Sequence, residues 1–104
     1  RPITGTWRTE RDIEISIRYS PDGAAEAVIQ TVSGALTDDI RPGVVLIDGI
    51  RPLVDGGWRG MMRAPGARAM EVRIAVVRPG ELLIGTWDNR VESHVMRWTR
   101  MERR

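Results

Sequence analysis

A chain of 104 residues is long enough for one hydrophobic core and too short for two, since half of it could not bury enough apolar surface to fold. Its 16 basic side chains face 14 acids for a net charge of +2, which argues against a nucleic-acid partner, and no apolar run nears the roughly 20 residues of a membrane-spanning helix. The absence of cysteine excludes disulfides, thiolate metal sites and cysteine nucleophiles but fits a reducing or an oxidising compartment, so a cytoplasmic and an exported location both stay open.

Period-two alternation dominates the chain. From Asp12 to Tyr19, Ile13, Ile15, Ile17 and Tyr19 alternate with Glu14, Ser16 and Arg18, the pattern of a strand with one buried face. Ser20-Pro21-Asp22-Gly23 ends that strand, because proline presets a turn φ and glycine accepts a positive one, and the chain is expected to reverse into a second strand from Ala24 to Val32. Ser33 to Gly43 carries Gly34, Asp38, Asp39, Pro42 and Gly43 and reads as the longest irregular connection, a rim loop. Val44 to Asp48 is a short apolar run, and Gly49 to Gly57 leaves room for a single helical turn. Trp58 to Arg63 is the next strand, and the turn Ala64-Pro65-Gly66-Ala67 leads to Met70 to Arg78, where Met70, Val72, Ile74 and Val76 share a face. Arg78-Pro79-Gly80 turns the chain into Glu81 to Trp87, and Asp88-Asn89-Arg90 turns it again into Val91 to Met101. Residues 1–104 therefore read as one all-β domain, a small antiparallel up-and-down β-barrel of about seven or eight strands.

Every basic side chain is arginine. The plainer account is codon bias in a GC-rich, bacterial genome; the sharper one is selection for a planar fork that grips phosphates and carboxylates in pairs of hydrogen bonds. The first residue, Arg1, fits either a removed leader or a start inside a longer chain. A faint echo links Gly5-Thr6-Trp7 with Gly85-Thr86-Trp87, each followed by a strand that pairs arginine with an aromatic residue: Arg18-Tyr19 in one case, Arg97-Trp98 in the other. Chance similarity between two hairpins competes with equivalent parts in closing a barrel.

The opening Ile3-Thr4-Gly5-Thr6-Trp7, the Pro-Asp-Gly turn after the next strand, and a late tryptophan followed by a basic end resemble the calycin superfamily, the lipocalin-like and avidin-like barrels. The resemblance implies a calycin-like up-and-down barrel that binds a ligand in its mouth. It also departs from the avidins, which follow the opening tryptophan with an Asn-x-x-Gly-Ser arrangement. Here Arg8, Thr9, Glu10, Arg11 and Asp12 stand there, and a buried charge facing a neutral ureido group would be costly, which argues against biotin.

His94 is the single histidine, and alternation groups it with Glu92, Met96 and Trp98 on one strand face. Glu92 and His94 are thus the candidate catalytic residues, an acid–base pair two residues apart; the plainer account is a solvated or hydrogen-bonded pair near the barrel mouth. Ser93 points away from its neighbour and offers no triad. Asp38, Asp39, Asp48 and Asp55 show no ligand spacing, so no metal is expected, and Asp55-Gly56-Gly57-Trp58-Arg59-Gly60 lacks the lysine and helix of a phosphate loop, so no cofactor is expected either. Trp7, Trp58, Trp87 and Trp98 either fill the core or wall a cavity for a ring-bearing ligand.

The leading expectation is a non-enzymatic binding domain. It would take a small apolar or aromatic molecule in the barrel mouth at Trp7, Trp58, Trp87, Trp98 and His94, gated by the loop from Ser33 to Gly43, or meet a protein partner at the rim. Two alternatives stay open: a small cofactor-independent isomerase, lyase or cyclase using Glu92 and His94, and a structural domain that forms homo-oligomers through its edge strands.

Overall fold

A strand with one apolar face must cover it, and eight such strands in this chain cover one another by curling into a closed cylinder. The computed structural model describes residues 3–32, 40–54, 56–63, 68–88 and 91–101, of which the side chains of 87, 88 and 91–94 are left aside. The strands are β1 (Gly5–Arg8), β2 (Ile13–Tyr19), β3 (Ala25–Val32), β4 (Val45–Pro52), β5 (Trp58–Met62), β6 (Met70–Arg78), β7 (Glu81–Asp88) and β8 (Val91–Arg100). Each pairs antiparallel with the next and β8 returns to β1, giving an up-and-down barrel with no helix among the described residues.

The alternation read along β2 and β6 holds in the middle of each strand, where Ile15 and Ile17, and Val72 and Ile74, are buried in the interior with Trp7, Ile29, Ile47, Leu82, Ile84 and Trp98; Tyr19 and Val76, at the strand ends beyond the core, are 67% and 48% exposed. Side-chain size also alternates around the cylinder. Ala27 of β3 stands between Ile17 of β2 and Ile47 of β4, so a small residue separates two branched ones and the narrow interior fills without overlap. Trp98 is fully buried with its indole N–H lacking an acceptor, at a cost of roughly 1–3 kcal/mol that the burial of its ring must exceed. Outward positions carry ion pairs such as Arg18–Glu26 at 3.3 Å and Arg63–Asp48 at 2.6 Å. Apolar inside and charged outside is the reverse of a membrane-spanning barrel.

Strand β4 runs on to Pro52, through the stretch where a helical turn had room to form. Its buried residues Ile47 and Ile50 are three apart, and the pairing register slips between Asp48 and Arg51, so a bulge at Gly49 (φ 60°) lets both isoleucines face inward. Both converge on Gly60 of β5, where a Cβ would lie 2.8 Å from Ile47 Cγ2 and 2.9 Å from Ile50 Cγ1. The hairpin expected after β2 forms as read. Ser20 N–H donates to the Ala24 carbonyl at 2.7 Å, Gly23 takes φ 89°, and the Asp22 carboxylate accepts from the Ser20 hydroxyl and from the Ala24 N–H.

The barrel closes at a short seam, Trp7 opposite Arg100 and Arg8 opposite Thr99. Side chains extend it. Trp7 Nε1 donates to the Ile3 carbonyl at 2.9 Å, the Arg100 guanidinium lies 4.3 Å from the centre of the Trp7 ring, and its Nη1 donates to the Thr4 carbonyl at 3.0 Å. The guanidinium can lie there because residue 5 is glycine: φ is 134°, and a Cβ would stand 2.6 Å from Arg100 Nη1. The Gly5-Thr6-Trp7 opening is thus the recess into which Arg100 fits. In the echo at Gly85-Thr86-Trp87 it is Thr86 that is buried, in phase with Leu82 and Ile84, whereas in the first copy it is the tryptophan.

Gly5→Ala is therefore expected to lower the thermal midpoint by roughly 5–20 °C through strain and loss of the Arg100 position, read by circular dichroism. At the first turn, the hydrogen bond from Ser20, then that from Ala24, with Arg51 contributing, hold the Asp22 carboxyl below its ordinary value. A depressed folded pKa gives a contribution complete above the unfolded value and lost as pH falls through the folded one. Asp22→Asn should then show a smaller fall in thermal midpoint than the parent between about pH 6 and about pH 3; equal falls would refute the assignment.

Candidate functional site

The barrel has two unlike ends. At the closing end, where the seam lies, the β2–β3, β4–β5 and β6–β7 turns meet the last residues of β8. The opposite end gathers the β1–β2, β3–β4, β5–β6 and β7–β8 connections, and residues 33–39, 64–67 and 89–90 of these lie outside the described ones.

A mismatch in strand length shapes the closing end. Trp58, the first residue of β5, pairs with Ile74, so the last four residues of β6 pass beyond the start of their neighbour. The β4–β5 turn is tight, with Leu53 N–H donating to the Gly57 carbonyl at 2.9 Å, and cannot follow them. The β6–β7 hairpin therefore projects past the adjacent one, and the step between them is a hollow of about 880 Å³. Trp58, Val76, Leu53 and Pro79 give it apolar walls, and Arg73 and Arg100 also line it. Trp58 is half-buried, and Val76 and Val77 beside it remain 48% and 46% exposed. The volume falls within the range of pockets that enclose small organic ligands.

The four tryptophans have parted company. Trp7 and Trp98 are 1% and 0% exposed and belong to the core, whereas Trp58 is half-buried, packs against the core and lines the hollow. The side chain of Trp87 lies outside the described residues, as do those of Glu92 and His94. The ladder places position 94 opposite Thr86 and position 92 opposite Trp87, towards the opposite end of the barrel from the hollow. Between them β8 takes two residues where β7 takes one. The loop from Ser33 to Gly43 also belongs to that opposite end, with residues 33–39 outside the described ones.

Sequence reasoning missed Arg73, Arg100, Leu53, Val76 and Pro79 as wall residues. Pairing register brings them together, and the one-dimensional pattern contains no sign of it. No group of three His, Asp or Glu among the described residues is placed to hold a metal ion. No family model, curated protein or solved structure matches the chain.

Proposed function

We propose that the domain is a non-enzymatic binding module whose ligand, a small apolar or aromatic molecule, sits in the hollow against Trp58. The hollow itself carries this reading: about 880 Å³ of space with apolar walls, in a barrel whose other described tryptophans are spent on the core. An aromatic wall exposed in a concavity offers a ligand buried area and stacking at little entropic cost. Valines left in the open on the adjoining strand support the same account. A calycin-like barrel is the finer part of the reading, supported by the Gly5-Thr6-Trp7 opening and the up-and-down strand order.

One observation favours a second reading, self-association through β8. On its β1 side that strand is paired at Thr99 and Arg100, while the Arg97 N–H is taken by the Glu10 carboxylate at 3.0 Å and Val95 is 48% exposed. An edge of this kind can accept another strand.

Two experiments separate these readings. Calorimetric titration with a panel of apolar and aromatic metabolites should give saturable binding that weakens about tenfold or more in Trp58→Leu and is unchanged in His94→Ala, whose position lies towards the other end. A flat response across the panel would overturn the ligand reading. Light scattering should return the mass of one chain, 11.7 kDa, at all concentrations; growth towards twice that value would favour the second reading.

A further inference from the structure

Among the described residues six large apolar side chains are exposed, and four of them, Tyr19, Val54, Val76 and Val77, belong to the closing end of the barrel. The other two, Met61 and Val95, stand singly on β5 and β8. Apolar residues scattered one by one are ordinary, but a cluster confined to one end is not. The four sit on three neighbouring hairpins. Asp22 of the β2–β3 turn lies 3.7 Å from Arg51 near the end of β4, and the β4–β5 turn shares the hollow with Val76 and Pro79 of the β6–β7 hairpin. The fold does not require these side chains. Val54 occupies a tight turn, where a small polar residue would serve the backbone as well, and Val76 and Val77 lie beyond the start of the neighbouring strand.

Charge is divided along the barrel in the same sense. The segments that bound the closing-end turns and finish β8, residues 18–26, 49–59, 73–81 and 97–101, carry seven arginines and three acids among the described residues. Segments 8–14, 41–48 and 61–71, at the other end, carry five of each. In sequence, Asp55 lowers the first balance by one, while Asp38, Asp39, Asp88, Arg90 and Glu92 lower the second by three. Ion pairing does not remove the excess, since Arg78 and Arg97 share Glu81 at 3.0 and 3.1 Å. The apolar end is therefore also the positive end, and its field attracts an anionic surface from a distance set by ionic strength.

We propose that the closing end docks on a lipid surface bearing anionic headgroups: Val54, Val76, Val77 and the ring of Tyr19 enter the boundary between headgroups and acyl chains, and the arginines behind them meet the lipid phosphates. A rigid protein partner would have to match three projecting tips and the hollow between two of them, whereas a fluid surface closes around such a shape. The turns are suited to leaving water because they bond internally, Ser20 N–H to the Ala24 carbonyl at 2.7 Å and Leu53 N–H to the Gly57 carbonyl at 2.9 Å. Tyrosine favours this boundary, and arginine keeps its head among phosphates while its stem lies along apolar surface. The charged outer wall stops the barrel at that depth, so it rests on the surface without crossing it. Docking of this kind is independent of what the hollow holds.

The test is sedimentation of the full chain with vesicles of phosphatidylcholine alone or mixed with phosphatidylglycerol, at low ionic strength. The mixed vesicles should be bound about tenfold or more tightly than the neutral ones, and added salt should narrow that gap. Val54→Ser combined with Val77→Ser, at two exposed positions outside the core, should weaken binding to mixed vesicles by about tenfold. Val95→Ser, an exposed valine on the side wall, should leave it unchanged. A Val54→Trp variant should shift its emission to the blue on the mixed vesicles and be quenched by bromine-labelled lipid. Equal binding to the two kinds of vesicle, or binding that survives the double serine variant, would overturn the proposal. No binding to either would overturn it and leave the tips to a protein partner. Growth in mass towards two chains in light scattering, abolished by the double serine variant, would overturn it in favour of a second copy.

Discussion

The guanidinium of Arg100 lies over the Trp7 ring and donates to the Thr4 carbonyl, and through these contacts the last strand is held against the first. Backbone pairing alone gives this seam two positions, far fewer than β7 and β8 share. A cation over an indole that is 1% exposed is desolvated on one side, where such a contact reaches about 2 kcal/mol. The hydrogen bond from Trp7 to Ile3 ties down the segment that supplies the Thr4 carbonyl, so ring, guanidinium and chain end fix one another. Without the seam the eight strands would be an open sheet with two edges, and the core behind it would be open to water.

That dependence explains which parts of the fold were legible in the sequence. Strands β2 and β6 announce themselves because alternation reports one buried face, and the turn at Pro21-Asp22-Gly23 because each residue there has its own backbone requirement. Strand β4 was read short, since Ile47 and Ile50 are three apart and only the bulge at Gly49 reconciles them with a strand. The seam was visible as a Gly-x-Trp opening, yet Arg100, the residue that gives the motif its purpose, is far away in sequence and unremarkable among 16 arginines.

The site was harder to read than the fold for a related reason. Alternation tells which side of a strand a tryptophan takes and is silent on its height along the barrel. Trp7, Trp98 and Trp58 all occur in strands; two are sunk in the interior and the third stands where β6 outruns β5. The hollow is a difference in reach between two hairpins and belongs to no single segment. The candidate pair Glu92 and His94 is a single-strand reading; the ladder shows an added residue in β8 between those positions, and both side chains lie outside the described residues.

Because β1 and β8 are neighbours, residues 6 and 101 lie side by side, with the Met101 N–H donating to the Thr6 carbonyl at 2.9 Å. The strand order around the barrel is therefore a ring, and the chain begins at one of eight equivalent gaps in it. A short linker across the seam, with new ends opened at the Ser20–Ala24 turn, would keep every ladder while turning the seam into an ordinary hairpin. Circular permutation would thus trade contacts that rest on one guanidinium for a covalent connection. It would also move the termini away from Arg100, placing any fused segment at a chosen point on the barrel's circumference.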